Sequence, residues 1–172
     1  IAREKGAVGL SVVLDLENSA AALYRLGRLP EAIARIQESV AMRQGITDNG
    51  NPRLAHLQYR AGLYCHDAGE WEQAKDALRA ALQEREPGRA LSDGDWIDAT
   101  ICLAKVLIAV GEVAEAETLL HALQRDDDLT SASDDQRKDL AETIKSLHAA
   151  SNTAPDQREL HRGLHGDLPG VV

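Results

Sequence analysis

Three glycines, Gly27, Gly69 and Gly111, recur at an interval of 42 residues, and their surroundings recur with them. The stretches run YRLGRLPEAIARI (24–36), HDAGEWEQAKDAL (66–78) and IAVGEVAEAETLL (108–120). Aligned on the glycine, a small residue stands seven positions earlier: Ala20, Gly62 and Ala104. An alanine stands five later (Ala32, Ala74, Ala116) and a branched apolar residue nine later (Ile36, Leu78, Leu120). A fixed period of roughly 20 to 50 residues marks an array in which each unit buries its face only against its neighbours. That constrains the chain to a stack of like units, and a stack offers a surface for binding rather than an enzyme pocket.

Composition fits helices. Of 172 residues 44% are hydrophobic, yet there is no Phe and aromatics make up only 3%. A core of Ala, Leu, Ile and Val suits closely packed helices better than a sheet. The formal charge of −9 argues against nucleic acid, whose binders present basic patches to phosphates. It argues equally against an anionic membrane surface and makes a basic peptide or basic protein face the natural electrostatic partner. An acidic surface that only keeps the protein soluble accounts for the same charge. No stretch approaches the apolar run of about 18 residues that a membrane span needs. No charged-then-apolar leader opens the sequence, which says little of location in an excerpt; the expected location is cytoplasmic. The chain opens on Ile1 and is expected to be an excerpt of something longer.

Each unit resolves into two amphipathic helices around its glycine turn. In the middle unit Leu54, Leu57, Ala61, Gly62 and Cys65 share one face of a first helix. Gly69 ends it in the left-handed conformation that a helix C-terminus favours. Trp71, Ala74, Ala77, Leu78, Ala81 and Leu82 then mark the apolar face of a second helix, stopped by Pro87-Gly88. The first unit spans a helix from Val12 to Leu26 and another from Pro30 to Arg43, followed by the turn-rich TDNGNP (47–52). The third spans Trp96 to Val110 and Val113 to Gln124. The small residues Ala20, Gly62 and Ala104 fall where the two helices of a unit cross, with Ala32, Ala74 and Ala116 expected opposite them. Residues 1–7 resemble the end of a preceding second helix. The three units take up about 8–50, 51–91 and 92–128. A capping helix occupies 129–150, opened by a Ser133/Gln136 capping box with Leu140, Ile144 and Leu147 as its stripe, and 151–172 is expected to be a flexible tail.

The glycine turn, the small residue before it and the alanine and apolar residue after it resemble the tetratricopeptide repeat. The 42-residue spacing is similar to the long variant found in kinesin light chains and bacterial multidomain regulators. The segments SVAMRQG (39–45) and AALQEREPG (80–88) also look like that variant. The resemblance covers about residues 8 to 128 and implies an all-α, right-handed superhelical solenoid with a C-terminal capping helix. It further implies a non-catalytic protein-interaction module without a cofactor, whose first helices line a concave groove for a partner peptide or protein segment. Carried onto this sequence, that groove offers Asn18, Tyr24 and Arg25 from the first unit. The second offers His56, Tyr59, Arg60 and His66, and the third Lys105. A double change, Tyr59→Ala with Arg60→Glu, is expected to abolish partner capture without altering helical content. Two alternatives stay open: a sensory or regulatory region of a larger bacterial signalling protein, such as a kinase or transcription regulator, and self-association through an uncovered N-terminal end.

Catalytic signals are weak. Cys65 and His66 are neighbours in a helix and point about 100° apart, so they are not a nucleophilic pair. Cys65 and Cys102 lie in different units and look like small core or groove residues rather than a disulfide. His161 and His165 have the spacing of two metal ligands on a helix but sit in a Gly-rich tail without further ligands. The acidic run Asp126–Asp128 lacks the glycine and alternating spacing of a calcium loop. No metal or cofactor is expected.

Overall fold

Gly27, Gly69 and Gly111 all adopt the left-handed conformation, with φ of 72°, 75° and 85°. The same two backbone bonds close the helix before each. The glycine N–H donates to Tyr24, His66 or Ile108, and the next N–H reaches further back. Arg28 donates to Leu23 (3.0 Å), Glu70 to Cys65 (2.9 Å) and Glu112 to Leu107 (2.8 Å). This pairing satisfies the orphan carbonyls of a helix end and requires a residue at positive φ, which glycine supplies without a Cβ penalty. An alanine at position 69 would bring its Cβ no closer than 3.9 Å to Trp71. The cost of Gly69→Ala is therefore backbone strain alone, and we expect a loss of about 1–2 kcal/mol by urea denaturation. An unchanged midpoint would show that the turn relaxes at no cost.

The computed structural model describes residues 2–46, 52–83, 91–125 and 127–153. The described residues form α1 (Ala2–Arg25), α2 (Leu29–Ile46), α3 (Pro52–Asp67), α4 (Trp71–Leu82), α5 (Asp93–Val110), α6 (Val113–Gln124) and α7 (Asp134–Thr153), with a 3-10 turn at Asp127–Ser131. No strand occurs among them, so the described chain is all-α. α1/α2, α3/α4 and α5/α6 are antiparallel hairpins, and each new first helix packs on the second helix before it, α3 on α2 and α5 on α4. α7 packs on both α5 and α6, the place a fourth first helix would take. Its register agrees: the Gln136 side chain donates to the Gly94 carbonyl (2.9 Å), 42 residues away.

The core follows the sequence period. Ala20, Ala32, Ile36, Ala74, Leu78, Ala104, Ala116 and Leu120 are all fully buried. The crossing differs from expectation in one respect. A Cβ on Gly62 would fall 2.5 Å from Leu78 Cγ and 2.8 Å from its Cδ2, so the residue opposite the small position is the branched one, not Ala74. Helical side chains lean toward their own N-terminus, which lays Leu78 back across the hairpin onto Gly62. In the same unit Leu54, Leu57, Ala61 and Cys65 are buried as expected. Trp71 is not core: it is 38% exposed and meets the edge of the His66 ring at 5.7 Å.

Two boundaries also differ. Residues 2–7, expected to close a preceding unit, run unbroken into α1, since each glycine within a helix costs only about 1 kcal/mol. α7 continues past residue 150 to Thr153. It opens on the capping box as expected: Ser133 N–H donates to Gln136 Oε1 (3.0 Å) and Gln136 N–H to Ser133 Oγ (3.2 Å). Leu140 and Leu147 face inward, joined by the buried Thr143. The turn at 47–51, Pro87-Gly88 and the tail from 154, including His161 and His165, lie outside the described residues.

Candidate interaction face

The first helices are joined edge to edge by polar side chains, and three clusters result. In the first, Glu17 of α1 is only 4% exposed and accepts from two arginines of α3, Arg53 (2.6 Å) and Arg60 (3.0 Å). A buried carboxylate requires such partners, because burying it alone would cost far more than its bonds return. Arg60 also donates to the Tyr64 hydroxyl (2.6 Å). The Tyr64 ring stacks on Tyr24 with centroids 4.2 Å apart and planes 14° off parallel. The Tyr24 hydroxyl donates to Asp67, and His66 Nδ1 lies 2.9 Å from the other oxygen of that carboxylate. The bond to Asp67, with burial adding, pushes the Tyr24 hydroxyl up to about 12. This chain of contacts locks α1 to α3.

The second cluster lies between α3 and α5. His56 Nδ1 stands 3.8 Å from Asp95 Oδ2, and the His56 ring meets the edge of Tyr59 at 6.4 Å. Asp95 accepts from the hydroxyl of Ser92 (2.8 Å), whose oxygen in turn caps the N-terminus of α5. The Tyr59 hydroxyl is pushed well above its ordinary range by burial, with the nearby carboxylates Asp98 and Asp95 adding to it. Asp98 accepts from the Gln136 amide of α7 (2.8 Å), and its own carboxyl is raised, chiefly by burial. In the third cluster Lys105 of α5 holds both oxygens of Asp139 on α7, at 2.6 and 2.8 Å.

The sequence-selected residues therefore separate. Tyr24, Arg60 and His66 fall together in the first cluster, His56 and Tyr59 in the second, and Lys105 in the third. Asn18 and Arg25 are exposed on α1. Two residues that the sequence reading does not single out turn out to organise the face, Tyr64 as the stacking partner in the first cluster and Asp95 at the α3–α5 joint; Glu17, which helical position alone puts on the groove side of α1, is the hub of the first cluster. Each stands off the 42-residue step from its partner: Glu17 is 43 residues from Arg60, Tyr64 is 40 from Tyr24 and Asp95 is 39 from His56.

The second-helix side is built differently. Lys75 donates to Glu112 (2.7 Å) and sits 2.9 Å from Glu72, and Arg79 donates to Glu115 (2.8 Å). These pairs tie α4 to the start of α6 and pull the Glu112 carboxyl down, the bond from Lys75 being the main cause. A cleft of about 400 Å³ opens between α2, α3 and α4, with Ala61, Cys65 and Ala77 among its walls and Gln37 bonded to Gln73 beside it (2.8 Å). Burial pushes the Cys65 thiol up to about 11 and the Cys102 thiol to about 12. Thiols so placed stay protonated near neutral pH and are poor nucleophiles. Among the described residues no group of three His, Cys, Asp or Glu is arranged to hold a metal ion, and no helix is long and apolar enough to cross a membrane.

A family model of the tetratricopeptide repeat matches residues 13–84, and a second model of the same repeat matches residues 98–122. Together they cover the three glycine-turn hairpins. No curated protein matches the chain.

Proposed function

The chain belongs to the tetratricopeptide repeat family, whose repeats mediate protein–protein interaction, and on that premise we propose that its first-helix face holds a segment of a partner protein. One observation carries the reading: α1, α3, α5 and α7 are linked edge to edge by the Glu17–Arg60 and Lys105–Asp139 bonds and by the 3.8 Å approach of His56 to Asp95, which gives the first helices a shared polar and aromatic face. Asn18, Arg25, His56 and Tyr59 are the contact residues. Tyr24, Arg60, His66 and Lys105 shape the surface while engaged within it. The finer reading as the regulatory region of a bacterial signalling protein uses the same face. Self-association is favoured by a separate feature, the outward Leu10, Val12 and Leu14 of α1, exposed at 36%, 38% and 47%.

Arg60→Glu is a poor probe of this face, because it would set a second carboxylate against buried Glu17. A cleaner test places a photo-crosslinking side chain at Asn18, at Leu14 or at Asp76 on the second-helix side. The expected result is a partner crosslinked from position 18, lost when Tyr59→Ala is added. Crosslinks from position 76 alone would overturn the assignment, and chain-to-chain products from position 14 would favour self-association.

A further inference from the structure

The charges of the first-helix face are unevenly satisfied. Arg53 and Arg60 meet on Glu17, and Lys105 is held by both oxygens of Asp139. Arg25 stands apart at the glycine-turn end of α1. The carboxylates at the α3–α5 joint are served differently. Asp95 accepts from a hydroxyl and Asp98 from an amide, both neutral donors. His56 Nδ1 is 3.8 Å from Asp95 and charged only when protonated, and the Lys105 ammonium, which favours the Asp98 anion from a distance, is held by Asp139. Tyr59 meets the His56 ring in a T-shaped arrangement at 6.4 Å, is partly exposed and is close enough to feel both charges. A carboxylate beside an aromatic ring is what a guanidinium or ammonium group seeks: charge-assisted hydrogen bonds on one side, the negative face of a ring on the other. The Asp98 carboxyl is raised chiefly by burial, with Asp95 and Asp139 adding and the Gln136 bond and Lys105 opposing, so a cation reaching it would replace solvation that the buried anion lacks. An acidic tail would instead meet cations already engaged and two carboxylates that repel it.

We infer that the α3–α5 joint, formed by His56, Tyr59, Asp95 and Asp98, receives a lysine or arginine side chain of a basic partner segment. This rests on the reading of the first-helix face as the binding face and names the chemistry of what it binds.

The test uses the full chain and three pools of short peptides, each randomised around a fixed central Lys/Arg, Asp/Glu or Ser/Gln pair. Binding is followed by fluorescence anisotropy and by amide shifts of the isotope-labelled protein. The basic pool is expected to bind most tightly, to shift Tyr59 and its neighbours, and to weaken roughly tenfold with Asp95→Asn/Asp98→Asn. Asp76→Asn/Glu117→Gln removes the same charge from the second-helix side and is expected to change affinity by no more than about twofold. Equal weakening by both pairs would reduce the effect to net charge and overturn the inference. Tighter binding of the acidic or neutral pool, with shifts on α3 and α5, would overturn the basic preference while leaving the first-helix reading intact. Shifts confined to the second helices for every pool would overturn both. The pool preference of the unaltered protein decides the matter even if the Asn variants lose stability.

Discussion

Gly62→Leu is expected to lower the stability of the array by about 3 kcal/mol, near the upper end for an overpacked core. At a chain of this size each kcal/mol moves the midpoint by roughly 2–4 °C, so thermal denaturation should fall by about 6–12 °C. The reason is local. Even a methyl group on Gly62 would stand 2.5 Å from Leu78 Cγ and 3.3 Å from the Leu78 backbone nitrogen. Leu78 is itself fully buried and has nowhere to retreat. Gly62→Ala should therefore also destabilise, although removing a glycine from a helix by itself stabilises by about 0.5–1 kcal/mol. Gly45 supplies the contrast: it lies in α2 with nothing near its would-be Cβ, and Gly45→Ala should be neutral or stabilising. If both alanine variants gained stability alike, the α3/α4 crossing would be looser than described.

Glu17→Ala is expected to cost about 2 kcal/mol, less than a fully enclosed pair because its partners reach toward solvent. The carboxylate is almost wholly buried, whereas the Arg60 side chain is 20% and the Arg53 side chain 43% exposed. Removing Glu17 leaves two guanidiniums facing each other at the α1–α3 joint. Tyr64 keeps its stack on Tyr24 but loses the arginine held in place beside its hydroxyl. The joint should loosen locally, seen as faster amide exchange in α1 than in α5. Asn18→Ala, on the adjacent exposed position, should change stability by no more than about 0.5 kcal/mol. Matching losses at positions 17 and 18 would show that the ionic hub does not hold the joint.

The contrast between these positions explains what the sequence discloses and what it withholds. The glycine turns, the small crossing residues, the bounds of α6 and the capping box of α7 are each set by one residue type in one local conformation. A period of 42 residues displays the turns and crossings directly, and the Ser133/Gln136 spacing displays the capping box. The identity of the residue opposite Gly62 depends on how helical side chains lean, which register alone does not convey. The face is harder still. Glu17 meets Arg60 and Tyr24 meets Asp67 across 43 residues, one position out of step with the repeat. Stacking the units in columns therefore separates the partners of each joint. Residues such as Tyr24 and Arg60 look like free binding groups in sequence because the side chains that occupy them sit in the neighbouring column.

The position of α7 has a consequence for how such a chain can change length. It meets α5 and α6 as a first helix would, with Gln136 and Gly94 keeping the 42-residue step. α7 thus takes the place that the repeat prepares for a next first helix, while its polar bonds to Asp98 and Lys105 are particular to α5. A block of 42 residues duplicated or deleted between hairpins would leave each glycine turn and small crossing residue with a similar neighbour, and only the polar joints of the first helices would have to pair anew. Proteins built this way can lengthen or shorten by whole units in a single genetic event, extending the reach of the surface without redesigning either end.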